Sequence, residues 1–347
     1  MKHSIIPLFI PHYGCPHQCV FCNQVRITGQ TTPVTAEDAA RIIAAWRKTG
    51  GEDRCWEAAY YGGSFTALPL PVMESLLRPA QEALRRGEIQ AIRLSTRPDC
   101  IDEEILRLLK RMGVSTVELG AQSLDDPVLR LAERGHTAAD TAQAVQRLRE
   151  HGFRVGLQFM TGLPGESWQS LRRTARRGAG LRPDFIRLYP VLVLRDTPLC
   201  RLYERGSYQP LTVEEAAFRC AFLKRWYGRH GILIIRMGLQ ATEELDRGGS
   251  LAAGPYHPAL GDLADQLIVR HALRRALRRA AHPEGIVCHP RDRSRIMGQH
   301  RQSWHALLQE FGMLRCRESE QIVPGTAVIE TAEARMTVPL FDEMRQS

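Results

Sequence analysis

The residues whose spacing most clearly indicates chemistry are three cysteines near the N-terminus, Cys15, Cys19 and Cys22. The segment CPHQCVFC leaves three and then two residues between them, so the three thiolates lie on one short loop. Three thiolates can hold three irons of a 4Fe-4S cubane and leave the fourth iron open. The alternative is a structural zinc site completed by His12 or His17, because zinc accepts both thiolate and imidazole. Zinc loops more often use pairs of C-x2-C, so the spacing favours the iron–sulfur cluster.

The elements that must position this loop follow a regular alternation up to about residue 237, in which short β-branched or aromatic runs alternate with longer amphipathic ones. That alternation predicts repeated βα units around a parallel sheet, which is an α/β fold. The predicted strands are Ile5–Ile10, Ala58–Tyr61, Ala91–Leu94, Thr116–Leu119, Val155–Phe159 and Phe185–Tyr189. The predicted helices are Ala36–Lys48, Met73–Arg86, Asp102–Arg111, Ala138–His151 and Ser167–Arg177, and a last helix and strand are Val213–His230 and Ile232–Arg236.

Polar or glycine-rich clusters follow five of these strands directly. They are Cys15–Cys22, Gly62–Thr66, Ser95–Asp99, Gln122–Asp126 and Thr161–Glu166. In a barrel or an open parallel sheet the C-terminal strand ends form the active face. Five separate segments are therefore expected to converge on one site.

Beyond residue 237 the alternation ends, which predicts a domain of residues 1–237 and an extension of residues 238–347. Residues 241–262 are rich in glycine and proline and read as a structured loop. A basic helix, Leu267–Ala281, is expected next, followed by a small mixed region.

The composition indicates a soluble cytoplasmic protein. The chain has 347 residues, 44% of them hydrophobic, which is enough for a large core. No stretch approaches the roughly 20 apolar residues that span a bilayer. Nine cysteines at irregular spacing do not form a disulfide framework. Apart from the N-terminal trio their spacing supports no second cluster, and inert thiols are expected at Cys55, Cys100, Cys200, Cys220, Cys288 and Cys316.

The cluster loop resembles that of the radical S-adenosylmethionine (SAM) superfamily, and the resemblance continues through six further motifs over about residues 5–210. They are YYGGSFTALP, STRPDCID, VELGAQSLDD, RGHT, QFMTGLPGES and RLYPVLVLRDTPL. The chain is most similar to the radical SAM half of the Elongator catalytic subunit, and more distantly to oxygen-independent coproporphyrinogen oxidase. The resemblance implies a partial (β/α)6 TIM-like barrel with a small α+β C-terminal extension. It also implies a 4Fe-4S cluster whose open iron binds SAM, cleavage to a 5'-deoxyadenosyl radical, and a flavodoxin or ferredoxin as electron donor.

The resemblance further assigns the cofactor contacts. Gly62 and Gly63, with Ser64 beside them, receive the methionine amino group, although two glycines alone are more often an ordinary turn. Ser95 departs from the family, whose members commonly carry glutamate there. The remaining assignments are Phe21 near the adenine, Gln122 and Arg134 at the ribose and carboxylate, Gln158 at the ribose, the turn 162–165 at the adenine side, and Arg97, Tyr189 and Arg195 at the substrate. Arg134 is equally compatible with a solvent-facing helix end, and Tyr189 with a half-buried strand aromatic.

The basic character of the chain is local. Nine arginines against Glu284 and Asp292 give residues 270–301 +7 of the total charge of +9. Arg270, Arg274 and Arg278 recur every four residues, and His271, Arg275 and Arg279 form the adjoining stripe. This cationic face could follow an RNA backbone, and a solvated surface helix is weighed equally.

The substrate is therefore open among three hypotheses. The first is RNA, with transfer RNA suggested by the Elongator resemblance; the second is a small anionic metabolite. A non-catalytic metal module that recruits nucleic acid is the third. Acetyl transfer is not expected, because only about 110 residues follow the resembling part and none forms a pyrophosphate-binding loop of the acetyl-CoA kind.

Overall fold

The computed structural model describes residues 2–10, 15–23, 34–50, 54–239 and 249–341. The chain divides into two compact units. The first unit comprises Met1–Leu211 and Leu239–Pro255, and the second comprises Thr212–Gly238 and Tyr256–Ser347. This division differs from the predicted domain boundary after residue 237, because it groups residues 212–238 with the C-terminal part of the chain.

The first unit contains the six predicted strands as parallel neighbours in sequence order. They are β1 (Lys2–Ile10), β2 (Arg54–Gly62), β3 (Ala91–Thr96), β4 (Thr116–Gln122), β5 (Arg154–Thr161) and β6 (Phe185–Pro190). The α/β fold class and the partial (β/α)6 TIM-like barrel with its C-terminal extension are confirmed. Two short strands, β7 (Val193–Leu194) and β9 (Leu251–Ala253), pair antiparallel, so part of the predicted 241–262 loop is a strand.

The helices of the first unit connect these strands. They are α1 (Ala36–Lys48), α2 (Leu70–Arg85), α3 (Glu103–Arg111), α4 (Asp126–Leu131), α5 (Ala138–Glu150), α6 (Trp168–Gly180) and α7 (Pro198–Glu204). Capping boxes begin three of them, at Thr35, Thr137 and Ser167, where a side-chain oxygen accepts from a free backbone N–H of the first turn. The sequence did not predict α4 and α7, because six or seven residues are too few to show a helical period.

The sheet of the first unit has one apolar and one polar face. Successive strand side chains point to opposite faces, so residues two apart share a face. In β4, Val117 and Leu119 are fully buried apolar residues, whereas Glu118 and Gln122 belong to the other face. The same alternation in the other strands places Glu57, Arg93, Gln158 and Arg187 with Glu118. The polar face therefore carries the charges and the site.

The second unit is a four-stranded sheet with helices. Its elements are α8 (Val213–Gly228), β8 (Leu233–Met237), α9 (Leu260–Leu277), β10 (Pro283–Cys288), α10 (Pro290–Met297), α11 (Gln302–Phe311), β11 (Arg315–Glu318), β12 (Thr326–Thr331) and β13 (Arg335–Pro339). The sheet order is β11-β10-β12-β13, and only β10 and β11 are parallel. Its core includes Leu273, Leu277, Ile286 and Ile329.

The predicted basic helix is confirmed with different bounds. The helix α9 begins at Leu260, seven residues before the predicted start, and its last residue is Leu277. The early turns were missed because Gly261 and the preceding proline-rich segment obscure the helical period. None of the described helices is long and apolar enough to cross a bilayer.

Candidate active site

Backbone hydrogen bonds fix the cysteine loop on the first unit. The Cys22 N–H donates to the Cys19 carbonyl at 3.1 Å, which closes a tight turn. The Val20 N–H donates to the Ala132 carbonyl at 3.3 Å, and the Val20 carbonyl accepts from the Leu199 N–H at 2.8 Å. The loop is thus attached to α4 and α7, two helices that sequence reasoning missed.

The three cysteines open onto one pocket of about 110 Å³ at the C-terminal ends of the strands. All eight proposed cofactor contacts line it, namely Phe21, Gly62, Gly63, Ser64, Ser95, Gln122, Arg134 and Gln158. His17, Gln18, Thr96, Arg97 and Gly120 complete the lining. The lining does not include Tyr189, Arg195 or the turn 162–165. The structure therefore brings together segments more than 140 residues apart. Four of the five predicted strand-end clusters contribute to the lining, and Thr161–Glu166 does not.

The glycine turn after β2 places a hydroxyl beside the first cysteine. Gly62 has a φ of +107°, which an L-residue adopts only with strain. The Gly63 N–H donates to the Ile10 carbonyl at 2.8 Å, which holds the turn against β1. The Ser64 Oγ then lies 3.4 Å from the Cys15 Sγ. Ser95 is turned toward the neighbouring strand, where its hydroxyl donates to the Tyr60 carbonyl at 3.4 Å.

Gln122 offers a buried acceptor in the pocket. It has a φ of +59°, at the point where the pairing of β4 with β5 shifts register. Its Oε1 is buried and accepts no hydrogen bond from any described residue. A Cβ at Gly120 would lie 3.0 Å from the Gln122 Nε2, so the glycine makes room for this amide. A buried acceptor without a partner is costly, which is consistent with a ligand that donates to it.

Arg134 is buried at 6% exposure, so its interpretation as a solvent-facing charge is wrong. Its Nη1 donates to the Cys19 Sγ at 2.9 Å and its Nη2 to the Gly120 carbonyl at 2.7 Å. Arg97 in turn donates to the Arg134 carbonyl and forms a two-bond pair with Asp99 at 3.0 and 2.9 Å. The contact of Arg134 with a cofactor carboxylate stays a prediction.

Burial shifts the pKa values of two further side chains near the site, His136 and Cys100. Burial, together with the positive charges of Arg134 and Arg97, lowers the pKa of His136 to about 4, so its imidazole is neutral at pH 7. Its Nε2 lies 3.2 Å from the Ala121 carbonyl. Burial and the charge of Asp99 raise the pKa of Cys100 to about 11. The Cys100 thiol is therefore protonated at neutral pH, and none of the nine cysteines forms a disulfide.

Sequence reasoning missed a charged cluster on the polar face of the sheet, here called the interior network and composed of Glu57, Arg93, Glu118, Arg187 and Tyr61. Four of these residues are charged, one in each of β2, β3, β4 and β6. Arg93, Glu118 and Arg187 lie inside predicted strands, and Glu57 directly precedes one. That recurrence was the available signal. It could be read as a buried network because a strand interior rarely carries an unpaired charge.

Glu118 is the centre of the interior network and is fully buried. Its Oε1 accepts from the Arg93 Nη1 at 2.9 Å and from the Tyr61 hydroxyl at 3.4 Å. Its Oε2 lies 2.9 Å from the Arg187 Nε and accepts from the Gln158 Nε2 at 3.0 Å. Burial lowers the pKa of Arg187, but Glu118, Tyr189 and Tyr61 together outweigh it and the net shift is upward. Burial, with the charge of Glu118, raises the pKa of Tyr61, so the phenol stays neutral.

A barrel-type α/β fold whose strand ends carry three cysteines and a pocket of amides and arginines defines a class of cofactor-dependent proteins. The model of the "Radical SAM superfamily" matches residues 9–178, and that of the "Radical_SAM C-terminal domain" matches residues 183–270. The chain belongs to the radical SAM superfamily. Its members bind a 4Fe-4S cluster and SAM, which favours the cluster over zinc at Cys15, Cys19 and Cys22.

Several known proteins are similar to this chain in sequence or in fold. The "tRNA uridine(34) acetyltransferase" of Methanocaldococcus jannaschii is 35% identical over 58% of this chain and 37% of its own length. The solved "archaeal Methanocaldococcus infernus Elp3" superposes with a TM-score of 0.62 at 21% identity, over 79% of this chain and 64% of that one. Escherichia coli coproporphyrinogen III oxidase gives a TM-score of 0.48 over 66% of this chain. The chain thus spans 34% to 50% of the curated acetyltransferases it matches.

The residues present fit both cofactors. Cys15, Cys19 and Cys22 line one pocket. The buried Gln122 Oε1 accepts no hydrogen bond from the described residues and could accept one from a ligand. Gly120 also lines the pocket, and a Cβ there would lie 3.0 Å from the Gln122 Nε2 and 3.5 Å from the Arg134 Nη2. For zinc, His12 lies outside the described residues and His17 lines the pocket. Among the residues that the structure describes, no three His, Cys, Asp or Glu side chains are grouped to hold a single metal ion.

Proposed function

We propose that this chain is a radical SAM enzyme that modifies RNA, with a transfer-RNA-like substrate. The observation that carries the enzymatic part is the convergence of Cys15, Cys19 and Cys22 with eight polar, glycine or aromatic residues around one pocket. When bound, the cluster and SAM supply reductive cleavage to methionine and a 5'-deoxyadenosyl radical, which abstracts a hydrogen atom from the substrate.

The three cysteines hold the cluster, and the other lining residues hold and orient the cofactor. The turn of Gly62, Gly63 and Ser64 presents backbone groups and a hydroxyl to the amino acid end. Gln122 and Gln158 present amides to the ribose, and Arg134 presents a guanidinium to the carboxylate. A guanidinium suits a carboxylate because its planar fork matches two oxygens.

The protein contributes mainly by positioning the cofactor and by excluding water from the pocket. Phe21 is partly buried and packs against the apolar cluster that contains Val20, Val128 and Leu163. This cluster forms an apolar surface beside the cysteines. Ser95 stands where relatives commonly carry a carboxylate, so this pocket has one negative charge fewer on that side. An electron donor such as flavodoxin or ferredoxin and a location in the cytoplasm complete the proposal.

The proposal of an RNA substrate is supported by a basic surface of the second unit and by the names of similar proteins. Exposed residues of α9 and its C-terminal turn form a surface here called the arginine face, namely His271, Arg274, Arg275, Arg278 and Arg279. Arg274 and Arg278 both pair with the single carboxylate of Glu310, so positive charge remains on this pair of side chains. Such a surface attracts phosphates and releases counterions on binding. The relatives named as transfer RNA acetyltransferases support the same substrate class.

The first experiment tests the radical chemistry. The protein is reconstituted anaerobically with iron and sulfide, reduced with dithionite and incubated with SAM. We expect 5'-deoxyadenosine and methionine from the unchanged protein, and neither from Cys15→Ala, Cys19→Ala or Cys22→Ala. Cys55→Ala is the matched control and should retain activity, because Cys55 lies outside the pocket lining. A protein that takes up zinc only and releases no 5'-deoxyadenosine would support the non-catalytic metal module instead.

The second experiment tests the RNA substrate. Binding of a transfer RNA transcript is measured against salt for the unchanged protein and for Arg275→Glu with Arg279→Glu. We expect the double reversal to weaken binding by at least tenfold and to flatten the salt dependence. Arg107→Glu with Arg111→Glu on α3 changes the charge equally and should leave binding within twofold. Equal effects of both reversals, or 5'-deoxyadenosine release stimulated by small anions and not by RNA, would favour the metabolite substrate.

A further inference from the structure

The carboxylate of Glu118 determines which end of the neighbouring Gln158 amide can face a ligand. A carboxylate has only acceptor sites, and those of Glu118 accept hydrogen bonds from Arg93, Tyr61 and Gln158, while its Oε2 also forms an ion pair with Arg187. The Gln158 amide must therefore direct its NH2 group to Glu118. Its carbonyl oxygen is the end left for a ligand in the pocket that Gln158 lines.

The charge balance of the interior network fixes this orientation. Two arginines, Arg93 and Arg187, face two glutamates, Glu57 and Glu118, so the four charges of the interior network balance. The upward pKa shifts of both arginines keep them charged beside Glu118.

We infer that Glu118 is a positioning residue that fixes Gln158 as a hydrogen-bond acceptor and so selects a ligand carrying hydroxyl donors. The inference rests on the proposed function, because the expected ligand is the ribose of SAM. The buried Gln122 Oε1, which lacks a partner among the described residues, is a second acceptor in the same pocket. The two carbonyl oxygens can accept hydrogen bonds from the two hydroxyl groups of a ribose. An ammonium group is the other type of donor from which they could accept.

The test measures selectivity for hydroxyl groups in binding, not in catalysis. The probes are S-adenosylhomocysteine and its analogue in which both ribose hydroxyls are replaced by hydrogen, titrated by calorimetry into the reconstituted protein. We expect the unchanged protein to prefer the ribose compound by at least tenfold. Glu118→Gln should reduce this preference about tenfold, because a glutamine at 118 can donate to the Gln158 carbonyl and release its orientation.

Glu57→Gln is the matched control. It removes the same charge from the same network, but Glu57 contacts Arg93 and His3 and not Gln158. We expect its preference for the ribose compound to stay within twofold of that of the unchanged protein. Equal losses in Glu118→Gln and Glu57→Gln would overturn the inference, because the effect would then follow from charge alone.

A second variant keeps the test decisive if Glu118→Gln does not fold. Glu118→Gln combined with Gln158→Glu retains one carboxylate in the pair, and a carboxylate at 158 can only accept. We expect this exchange to restore the preference to within threefold, and a lost preference in a folded exchange variant would contradict the inference. Failure of the unchanged protein to bind S-adenosylhomocysteine at all would instead contradict the proposed function.

Discussion

Arginine and glutamate meet in two regions of this molecule, and the two regions use the same pair of residue types for opposite purposes. In the interior network of the first unit, Arg93 and Glu118 are almost completely buried, at 6% and 0% side-chain exposure. On the arginine face of the second unit, Arg274 and Arg278 are 51% and 58% exposed where they meet Glu310. Burial, and not the pairing itself, decides what each region can do.

Inside the sheet a charge must be compensated, so each group is fixed by its partners. Removing one partner leaves a buried charge, which costs far more than the pair contributes. At the surface, water and salt screen the same pair, so its contribution to stability is small. The excess charge there remains available to a distant phosphate. The interior network therefore determines the orientation of side chains, and the arginine face determines the attraction of a charged partner.

The largest effect expected is on stability. Glu118→Ala should lower the free energy of unfolding by about 3–5 kcal/mol, because it leaves Arg93 and Arg187 buried with one carboxylate between them. Urea unfolding followed by circular dichroism measures this. Glu310→Ala is the surface counterpart and should produce no measurable change. Similar losses from both substitutions would break the comparison.

The next effect concerns acid stability. His136 has a pKa of about 4 in the folded protein and an ordinary value of 6.5 when unfolded. The unfolded chain binds the extra proton between these values, so stability is complete above pH 6.5 and falls by about 3 kcal/mol as the pH drops to 4. His136→Gln should remove this part of the decrease in stability at low pH. The measurement is the free energy of unfolding as a function of pH.

His151 is the exposed control for that measurement. The Arg147 carbonyl and Glu103 raise its pKa, so it binds its proton more tightly in the folded protein. Its contribution is present at low pH and is lost as the pH rises through its folded value. His151→Gln should therefore leave the decrease in stability at low pH in place, and an unchanged decrease in His136→Gln would contradict the assignment.

A smaller effect is expected at the pocket. Gly120→Ala would place a Cβ 3.0 Å from the Gln122 Nε2 and 3.5 Å from the Arg134 Nη2. We expect S-adenosylhomocysteine to bind about three- to tenfold more weakly, measured by calorimetry, because both side chains must move. Gly180→Ala has open space around the new Cβ and should bind normally. Normal binding by Gly120→Ala would mean that the pocket tolerates this shift.

The smallest effect sharpens the comparison at the surface. Glu310→Gln removes the carboxylate shared by Arg274 and Arg278, so RNA affinity should rise about two- to threefold at low salt and less at high salt. Filter binding of a transfer RNA transcript measures this. Glu82→Gln, on α2 of the first unit, removes one carboxylate that pairs with an arginine at the end of the same helix and should not alter binding. Weaker RNA binding in Glu310→Gln would argue against the arginine face as the RNA surface.

Most secondary-structure elements and the family of the chain could be predicted from the sequence. Six strands and most helices of the first unit follow from apolar periods of two and about 3.6 residues, which are local properties of a few consecutive residues. The spacing of Cys15, Cys19 and Cys22 predicted the cluster loop, and the family resemblance predicted the cofactors. Strand ends meet at one edge of a parallel sheet, so the convergence of the site was also predictable.

The contacts between side chains of different strands and helices could not be predicted from the sequence and follow from the folded structure. Gln158 and Glu118 lie 40 residues apart, and their contact depends on the register between β4 and β5. The contact of Arg134 with Cys19 joins residues 115 apart and required the helix α4, which is too short to leave a period in the sequence. A pairwise contact depends on register, burial and packing together, and these are properties of the assembled sheet that no single segment contains.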